Sequence, residues 1–490
     1  SQAISFFIII STLLVCSCNN HQDKSNNHKI NILATIGDKI ITVNDYIKRC
    51  EYVPRPRYCN GNNYIHKKIS LNSLIAEKIF ALEFENYSYM ITPSQQSLIR
   101  GQKEQAMRHL MLKKFGYDKV EIDTKKINYY SALINRTYDL RFIILDKSYN
   151  PLIKKIKKHI SLNELIIKLN SNAQINSKTV TKNDKMTQGV ENVLFWGEPK
   201  KRILYGPFEI DMDKIMCFEI GGWNTGVDIT EKQKKESWEI TKSRYKDKEA
   251  KKYYGNYVKN IMRYKSIQYN AGVFKEFSKM IAKIYLIEKK KKEAVINNRV
   301  WSVENKQEFS SFEEIKNMDS NIILIHEKKN YTVLDLLDLI KRHPLVFRNK
   351  TINPALFSNE LKYAIADLFR DIHITNEAYA LGLEKQIDVI NIETKWNDYI
   401  KAGIIKNSFG LDLNLKNTPS KELTAKIDSL QKHYSNMIKI DTDKFEKIRL
   451  STVDMSVIYS NQSYTRLEPD FPILTNDHIL DYGEKVVFNE

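Results

Sequence analysis

The segment ITVNDYIKRCEYVPRP, from Ile41, and the segment YTVLDLLDLIKRHPLVF, from Tyr331, carry one pattern at one spacing. Thr42 aligns with Thr332, Asp45 with Asp335 and Pro54 with Pro344, each 290 residues apart (332 − 42, 335 − 45, 344 − 54). Each copy reads as a short strand, a Thr-x-x-Asp and an apolar-periodic helix. The Thr hydroxyl caps the helix while the Asp carboxylate reaches back to the cap, and the proline ends it. A second amphipathic helix follows each copy. Leu71, Leu74, Ile75, Ile79 and Leu82 form one stripe; Leu361, Ile365, Leu368, Phe369 and Ile372 form the other. The pattern predicts a duplicated helical lobe inside a mainly helical α+β chain.

Between the copies the character changes. YDLRFIILDKS, Tyr138 to Ser148, is a strand-like run, and ISLNELIIKLN reads as a helix capped at Ser161. VLFWGEP from Val193 and GPFEIDMDKIMCFEIGGW from Gly206 read as strands and turns, closed by Asn224-Thr225-Gly226. A long helix is expected from Thr230 to Tyr269. Its stripe of Tyr254, Tyr257, Val258, Ile261 and Met262 needs a partner, for which the first lobe is the candidate. The stretch from Ser451, with Tyr459, Tyr464, Pro469 and Pro472, reads as extended.

The chain's 490 residues allow two to four domains. Its net charge is +18, but the lysines are spread along the chain and interleaved with acids. The one tight run, Lys289 to Lys292, sits where a helix end favours cations. No nucleic-acid partner is expected; attraction to anionic lipid or acidic clients fits better. There is no G-x-G-x-x-G, P-loop, G-x-S-x-G or H-E-x-x-H, and no CxxC, so no metal and no cofactor are expected. Asp211/Asp213 and Glu313/Glu314 read as solvated pairs.

The apolar run Ala3 to Cys16 is shorter than the roughly 20 residues that span a bilayer, and suits the core of a secretory signal whose front is missing. Val15-Cys16-Ser17-Cys18 resembles the lipobox of bacterial lipoproteins, which implies lipidation at Cys18; Cys16 follows a bulky valine and fits less well. A plain signal peptide is the alternative. Asn19 to Lys29 is too polar to bury and reads as a tether. Cys50 and Cys59 could close a small disulfide loop in an exported protein, and Cys217 reads as a buried apolar residue.

The order of these pieces resembles the SurA/PrsA-like periplasmic foldases. ILATIGDKIITVNDYIKR (Ile32 to Arg49) and SLIAEKIFALEFE (from Ser73) are similar to the start of their N-terminal chaperone domain. SWEITKSRYKDKEAKKYYGNYVKNIMRYKSIQYN (Ser237 to Asn270) is similar to the helix after their parvulin (PpiC) module. The resemblance covers roughly residues 30–275 and implies helical chaperone lobes around a small parvulin-like α/β domain. It divides the chain into a signal (1–18), a tether (19–30), a first lobe (31–137), a parvulin-like domain (138–228) and a long helix returning to the first lobe (229–290). A second lobe (291–450) and an extended end (451–490) follow. The histidines that parvulins carry on their first and last strands are replaced by Phe142 and, by loose alignment, Ile215; His109 or His159 could reach the site from elsewhere. Only Phe195-Trp196-Gly197-Glu198 stands where the family's glycine-rich loop would be.

What this implies is an envelope-anchored, periplasmic foldase that binds unfolded exported polypeptides, outer-membrane proteins among them, with weak or lost prolyl isomerase activity. Phe142, Phe195, Trp196, Phe208 and Met216 are the candidate peptide-binding residues. A fully active isomerase and a non-catalytic structural lipoprotein are the alternatives.

Overall fold

The structure is a computed structural model that describes residues 31–156, 160–211, 213–226, 230–286, 317–348, 354–410, 418–450 and 467–488. Cys18, the tether, His159, Lys289 to Lys292, Glu313, Glu314, Tyr459 and Tyr464 lie outside the described residues. In chain order come β1 (Ile32–Ile36), β2 (Lys39–Thr42), α1 (Val43–Glu51), α2 (Tyr64–Glu85), α3 (Pro93–Phe115), α4 (Thr124–Ile134) and β3 (Arg136–Asp146). Next are α5 (Asn150–Lys155), α6 (Leu162–Leu169), β4 (Asn176–Val180), α7 (Gln188–Trp196), β5 (Leu204–Glu209), β6 (Lys214–Thr225) and α8 (Glu231–Ile261). Then β7 (Ile267–Tyr269), α9 (Ala271–Tyr285), β8 (Ile322–His326), β9 (Lys329–Thr332), α10 (Val333–Arg342) and α11 (Phe357–Ala380). The last are α12 (Ile387–Ser408), α13 (Lys421–His433), β10 (Ile438–Ile440), α14 (Thr442–Lys447) and β11 (Glu484–Lys485). The class is mainly helical α+β, with three small sheets among the described residues.

The repeat is built alike in both copies. Both helices start with the expected capping box, Thr42 with Asp45 and Thr332 with Asp335. The hairpins β1–β2 and β8–β9 share one register, including an irregularity between Ile32 and Ala34 and between Ile322 and Leu324. Beyond each hairpin the backbone closes identically: Val43 N–H donates to Asn31 O at 2.9 Å, and Val333 N–H to Asn321 O at 3.0 Å.

The copies also share something their sequences do not announce. The open edge of β1 is covered by β10, and the open edge of β8 by β7, both antiparallel. The residue after each covering strand donates its N–H at 2.9 Å, Asp441 to Leu33 O and Asn270 to Ile323 O. Each then caps the next helix with its side chain. Here the expected long helix departs from its prediction. It is capped at Thr230 but ends at Ile261, because the backbone of 267–269 is taken up by the edge of β8.

The fold divides into two compact units, Ser1–Gln95 with Thr394–Tyr459 and Glu468–Glu490, and Gln96–Glu393 with Ser460–Leu467. The expected lobes 31–137 and 291–450 are therefore redrawn, while the expected extended end carries no helix over its described residues 467–488. The N-terminal hairpin and α2 share one core with C-terminal residues: Leu33, Ile36, Leu71 and Ile75 pack with Ile405, Leu423, Ile427, Ile438, Ile440 and Phe445. Helix α8 belongs to the other unit, where Tyr257 stacks on Phe115 at 3.9 Å.

The first unit buries ion pairs between segments far apart in sequence. Lys395 Nζ lies 2.8 Å from both oxygens of Glu468 and 3.0 Å from Asp45 Oδ1. Burial alone would lower the lysine pKa, but Glu468 and Asp45 outweigh it and raise it. Asp398 sits between Lys39 (2.9 Å) and Lys78 (2.8 Å), and Arg49 grips Glu77 with two hydrogen bonds of 3.2 and 2.7 Å. Cys50 and Cys59 correct an expectation. Both are buried free thiols, pushed up to about 11 and about 12 by burial, and no disulfide joins them. Their loop is held instead by the Arg55 guanidinium, which donates to the carbonyls of Cys50 (2.8 Å), Asn60 (3.1 Å) and Gly61 (3.0 Å).

The second unit buries a network around Glu104 of α3. Its carboxylate accepts from Arg342 Nε (2.6 Å), Tyr379 Oη (3.0 Å), Arg100 Nε (3.1 Å) and His343 Nε2 (3.0 Å). Arg108 Nη1 donates to Thr375 Oγ1 at 2.8 Å and lies 3.3 Å from His343 Nδ1. Burial, then the charges of Arg108 and Arg342, hold His343 down from 6.5 to about 2, so the ring is neutral: it donates to Glu104 and accepts from Arg108.

Two outcomes are expected. Lys395→Ala leaves buried Glu468 and half-buried Asp45 without the lysine between them and destabilises the chain by about 3–5 kcal/mol in urea unfolding, whereas removal of an exposed lysine such as Lys232 costs under about 1 kcal/mol. For His343 the folded pKa lies below the unfolded one, so only the unfolded chain takes up this proton between pH 6.5 and 2. Stability therefore falls on acidification, by about 2 kcal/mol from pH 7 to 5, and His343→Gln shows a flatter profile in the same titration.

Candidate functional site: an aromatic sheet face

The block between the repeats is an antiparallel sheet in the order β4-β3-β6-β5. Its first and last strands, β3 and β6, pair at its centre. Strand side chains alternate between faces, so the sheet carries two cores. On one face Ile143, Leu145, Ile215 and Cys217 pack against Leu162 and Leu165 of α6. On the other, Tyr138, Leu140, Phe218 and Ile220 pack with Val190, Leu194, Phe195 and Trp196 of α7 and with Ile127 and Tyr245.

This division settles where the candidates lie. Phe142, Phe195, Trp196, Phe208 and Met216 all belong to the second face. Phe195 and Trp196 are its floor and not its surface: Phe195 is fully buried edge-on to Tyr138 at 5.4 Å, and Trp196 is 8% exposed. Phe142, Phe208 and Met216 are half-buried at the sheet surface. Ile215, set beside Phe142 by the loose alignment, does not share its face. It pairs with Leu145 and points to the α6 side, away from Phe142. The residue opposite Phe142 is Phe218, three positions on, and an odd shift along a strand changes the face. Cys217 is buried on the α6 side, its thiol pushed up to about 12 by burial, as its apolar reading expects. His109 is carried by α3, outside this sheet.

Cross-strand pairing arranges the surface into two rows. Phe142, Phe218 and Tyr205 make the inner row; Ile144, Met216 and Phe208 make the outer. Phe218 is stacked between Tyr205 (5.2 Å, 26°) and Phe208 (5.7 Å, 29°). The outer row opens to solvent, with Ile144 42% exposed. Sequence reading missed Ile144, Tyr205 and Phe218; alternation along FIILDK and IMCFEI, once registered, would have found them. The β5 edge is shaped by Gly206 at φ +122, which lies so close to the Met216 carbonyl that a Cβ would sit 2.8 Å from its oxygen. Gly189 of α7 leaves room for the Phe208 ring, since a Cβ there would lie 2.4 Å from Cδ1.

Ten side chains of β3, β5 and β6 make up this face: Tyr138, Leu140, Phe142, Ile144, Tyr205, Phe208, Met216, Phe218, Ile220 and Trp223. None is a histidine, cysteine or carboxylate. The tyrosine nearest the floor is committed, Tyr138 Oη donating to Leu194 O at 2.7 Å. Such a surface can bind and desolvate an apolar chain, but these residues offer it no acid or base. No helix among the described residues is long and apolar enough to cross a membrane. No family model, curated protein or solved structure matches the chain.

Phe218→Ala should cost about 3–5 kcal/mol, read from denaturant midpoints, because it empties the centre of the stack. Ile144→Ala, at the open row, should cost under about 1 kcal/mol in the same measurement.

Proposed function

We propose that the aromatic face holds extended segments of unfolded polypeptide, and that the chain is an envelope-anchored foldase of the SurA/PrsA-like kind with weak or lost isomerase activity. The observation that carries this reading is the outer row of Ile144, Met216 and Phe208. It is apolar, open to solvent on one side, and backed by a rigid aromatic floor. Exposed apolar surface beside a well-packed core marks a binding site more often than a folding defect. Aromatic and methionine side chains bind many sequences weakly, as a holder of unfolded chains requires. In the order of the sequence this sheet lies between two copies of a capped helical lobe, as the resemblance to that group expects.

The face also bears on catalysis. Rotation about an X–Pro bond has a barrier near ~20 kcal/mol. The twisted amide has lost resonance and is less polar than the planar one, so an apolar, water-poor surface favours it to some degree. With Phe142 opposite Phe218, this pair presents no polar side chain to strengthen that effect.

The test uses the full chain without its first 18 residues. A fluorescently labelled, urea-denatured outer-membrane protein should bind at micromolar concentration and aggregate more slowly in its presence. Ile144→Lys with Phe208→Lys should weaken binding at least tenfold while far-UV and near-UV spectra stay unchanged. Prolyl isomerisation of a Pro-containing peptide should run close to the uncatalysed rate. Binding that survives both lysines moves the client site elsewhere, and turnover typical of an active isomerase makes the catalytic alternative correct.

A further inference from the structure

The second repeat differs from the first at one corner, and the difference is chemical. Counting back 290 residues, His326 stands where the first copy has Ile36, and Glu327 where it has Gly37 (326 − 290, 327 − 290). Ile36 is a fully buried core residue. Gly37 takes the hairpin turn at φ +60, a conformation glycine adopts freely. In the second copy Glu327 adopts φ 49 and Lys328 φ 66. These are left-handed positions that cost side-chain-bearing residues about 1–2 kcal/mol each. A buried imidazole has thus replaced a core isoleucine, and a strained glutamate has replaced a well-suited glycine, side by side.

A third group meets them. His373, on α11, places Nε2 2.8 Å from His326 Nε2 and 3.6 Å from Glu327 Oε2. The three ligand atoms lie within 4.8 Å of one another. The far side of His326 is fixed by the Ser266 carbonyl, 2.9 Å from Nδ1. That carbonyl can only accept, so the proton is on Nδ1 and the Nε2 lone pair is directed at His373. Lys265 donates to the other oxygen of Glu327 and orients that carboxylate.

We infer that His326 Nε2, His373 Nε2 and the Glu327 carboxylate form a binding site for a single imidazole-preferring divalent ion of the zinc class, with the fourth position open to solvent. Two imidazoles and one carboxylate are the donor set of three-ligand zinc sites. The backbone carbonyl behind His326 and the lysine behind Glu327 are the outer partners such sites need to fix tautomer and orientation. Two nitrogens bound tetrahedrally to zinc lie about 3.3 Å apart, so the pair must open by about half an ångström. Because the Ser266 carbonyl holds His326, that movement falls to the His373 ring. One carboxylate with a lysine beside it is a poor donor set for calcium or magnesium, which need several oxygens. Bound there, the ion ties α11 to the β8–β9 turn and braces the second repeat, independently of the aromatic face.

The experiment measures Zn2+ binding to the full chain by competition with a chromophoric chelator, and Co2+ binding by its visible d–d absorption. The wild type should bind one ion with the absorption of a four-coordinate nitrogen–oxygen site, and Zn2+ should raise its melting temperature. Glu327→Gly restores the residue of the first copy, so it keeps or improves the metal-free fold; it should weaken binding at least tenfold. His373→Ala should weaken it at least a hundredfold and abolish the thermal shift. If the wild type binds no ion at 100 μM free Zn2+, or if both variants bind as tightly as the wild type, the assignment fails and the corner is a hydrogen-bonded histidine pair.

Discussion

A β-hairpin standing alone has an unsatisfied edge, and in this protein both repeated hairpins have that edge closed by a strand from elsewhere in the chain. Backbone N–H and C=O groups at the border of a core must find partners, and an uncovered edge invites pairing with other chains. The partners are β10 for β1 and β7 for β8. Much follows from these two short ladders. They bring C-terminal residues into the N-terminal core, they end the long helix at Ile261, and they set Ser266 behind His326. The covering strand precedes its hairpin in one repeat and follows it in the other, so the same local geometry is reached with opposite chain order.

Around these ladders the two units spend buried charge differently. In the first, Lys395, Arg49 and Asp398 are each matched by opposite charges from remote segments, and each lost partner would leave a buried ion. In the second, Glu104 collects donors from α3, α10 and α11, and keeps His343 as a neutral relay between a carboxylate and a guanidinium. Hydrophobic burial gives each unit its core. The polar networks fix which helix turns face one another, because a one-turn slip would break every bond at once.

The aromatic face and the histidine corner are two departures from that economy. On the face, apolar side chains stay open to solvent although the floor beneath is packed. At the corner, a turn accepts backbone strain to place a carboxylate beside two imidazoles. Both are local conflicts between what folds best and what is present, and such conflicts gather at functional sites.

The repeat, its capping boxes and the stripes of α2 and α11 were legible in the sequence because each rests on interactions among residues three or four apart. Phe142, Phe208 and Met216 were singled out from the sequence as lining one cleft and do share a face, but the partner of Phe142 was not legible. Register is a property of two strands, and a shift of three residues exchanged Phe218 for Ile215. The thiols of Cys50 and Cys59 looked like a bridge because their spacing allows one; only the fold shows Arg55 holding that loop. Forty-seven residues separate His326 from His373 (373 − 326), so no spacing rule could join them. The chain by itself determined where helices begin, which of their faces are apolar and that a lobe occurs twice. Which distant strand closes each hairpin, and which polar groups meet inside, was decided by the tertiary structure alone, because edge pairing and buried charge select partners by position in space and carry no periodic signature along the chain.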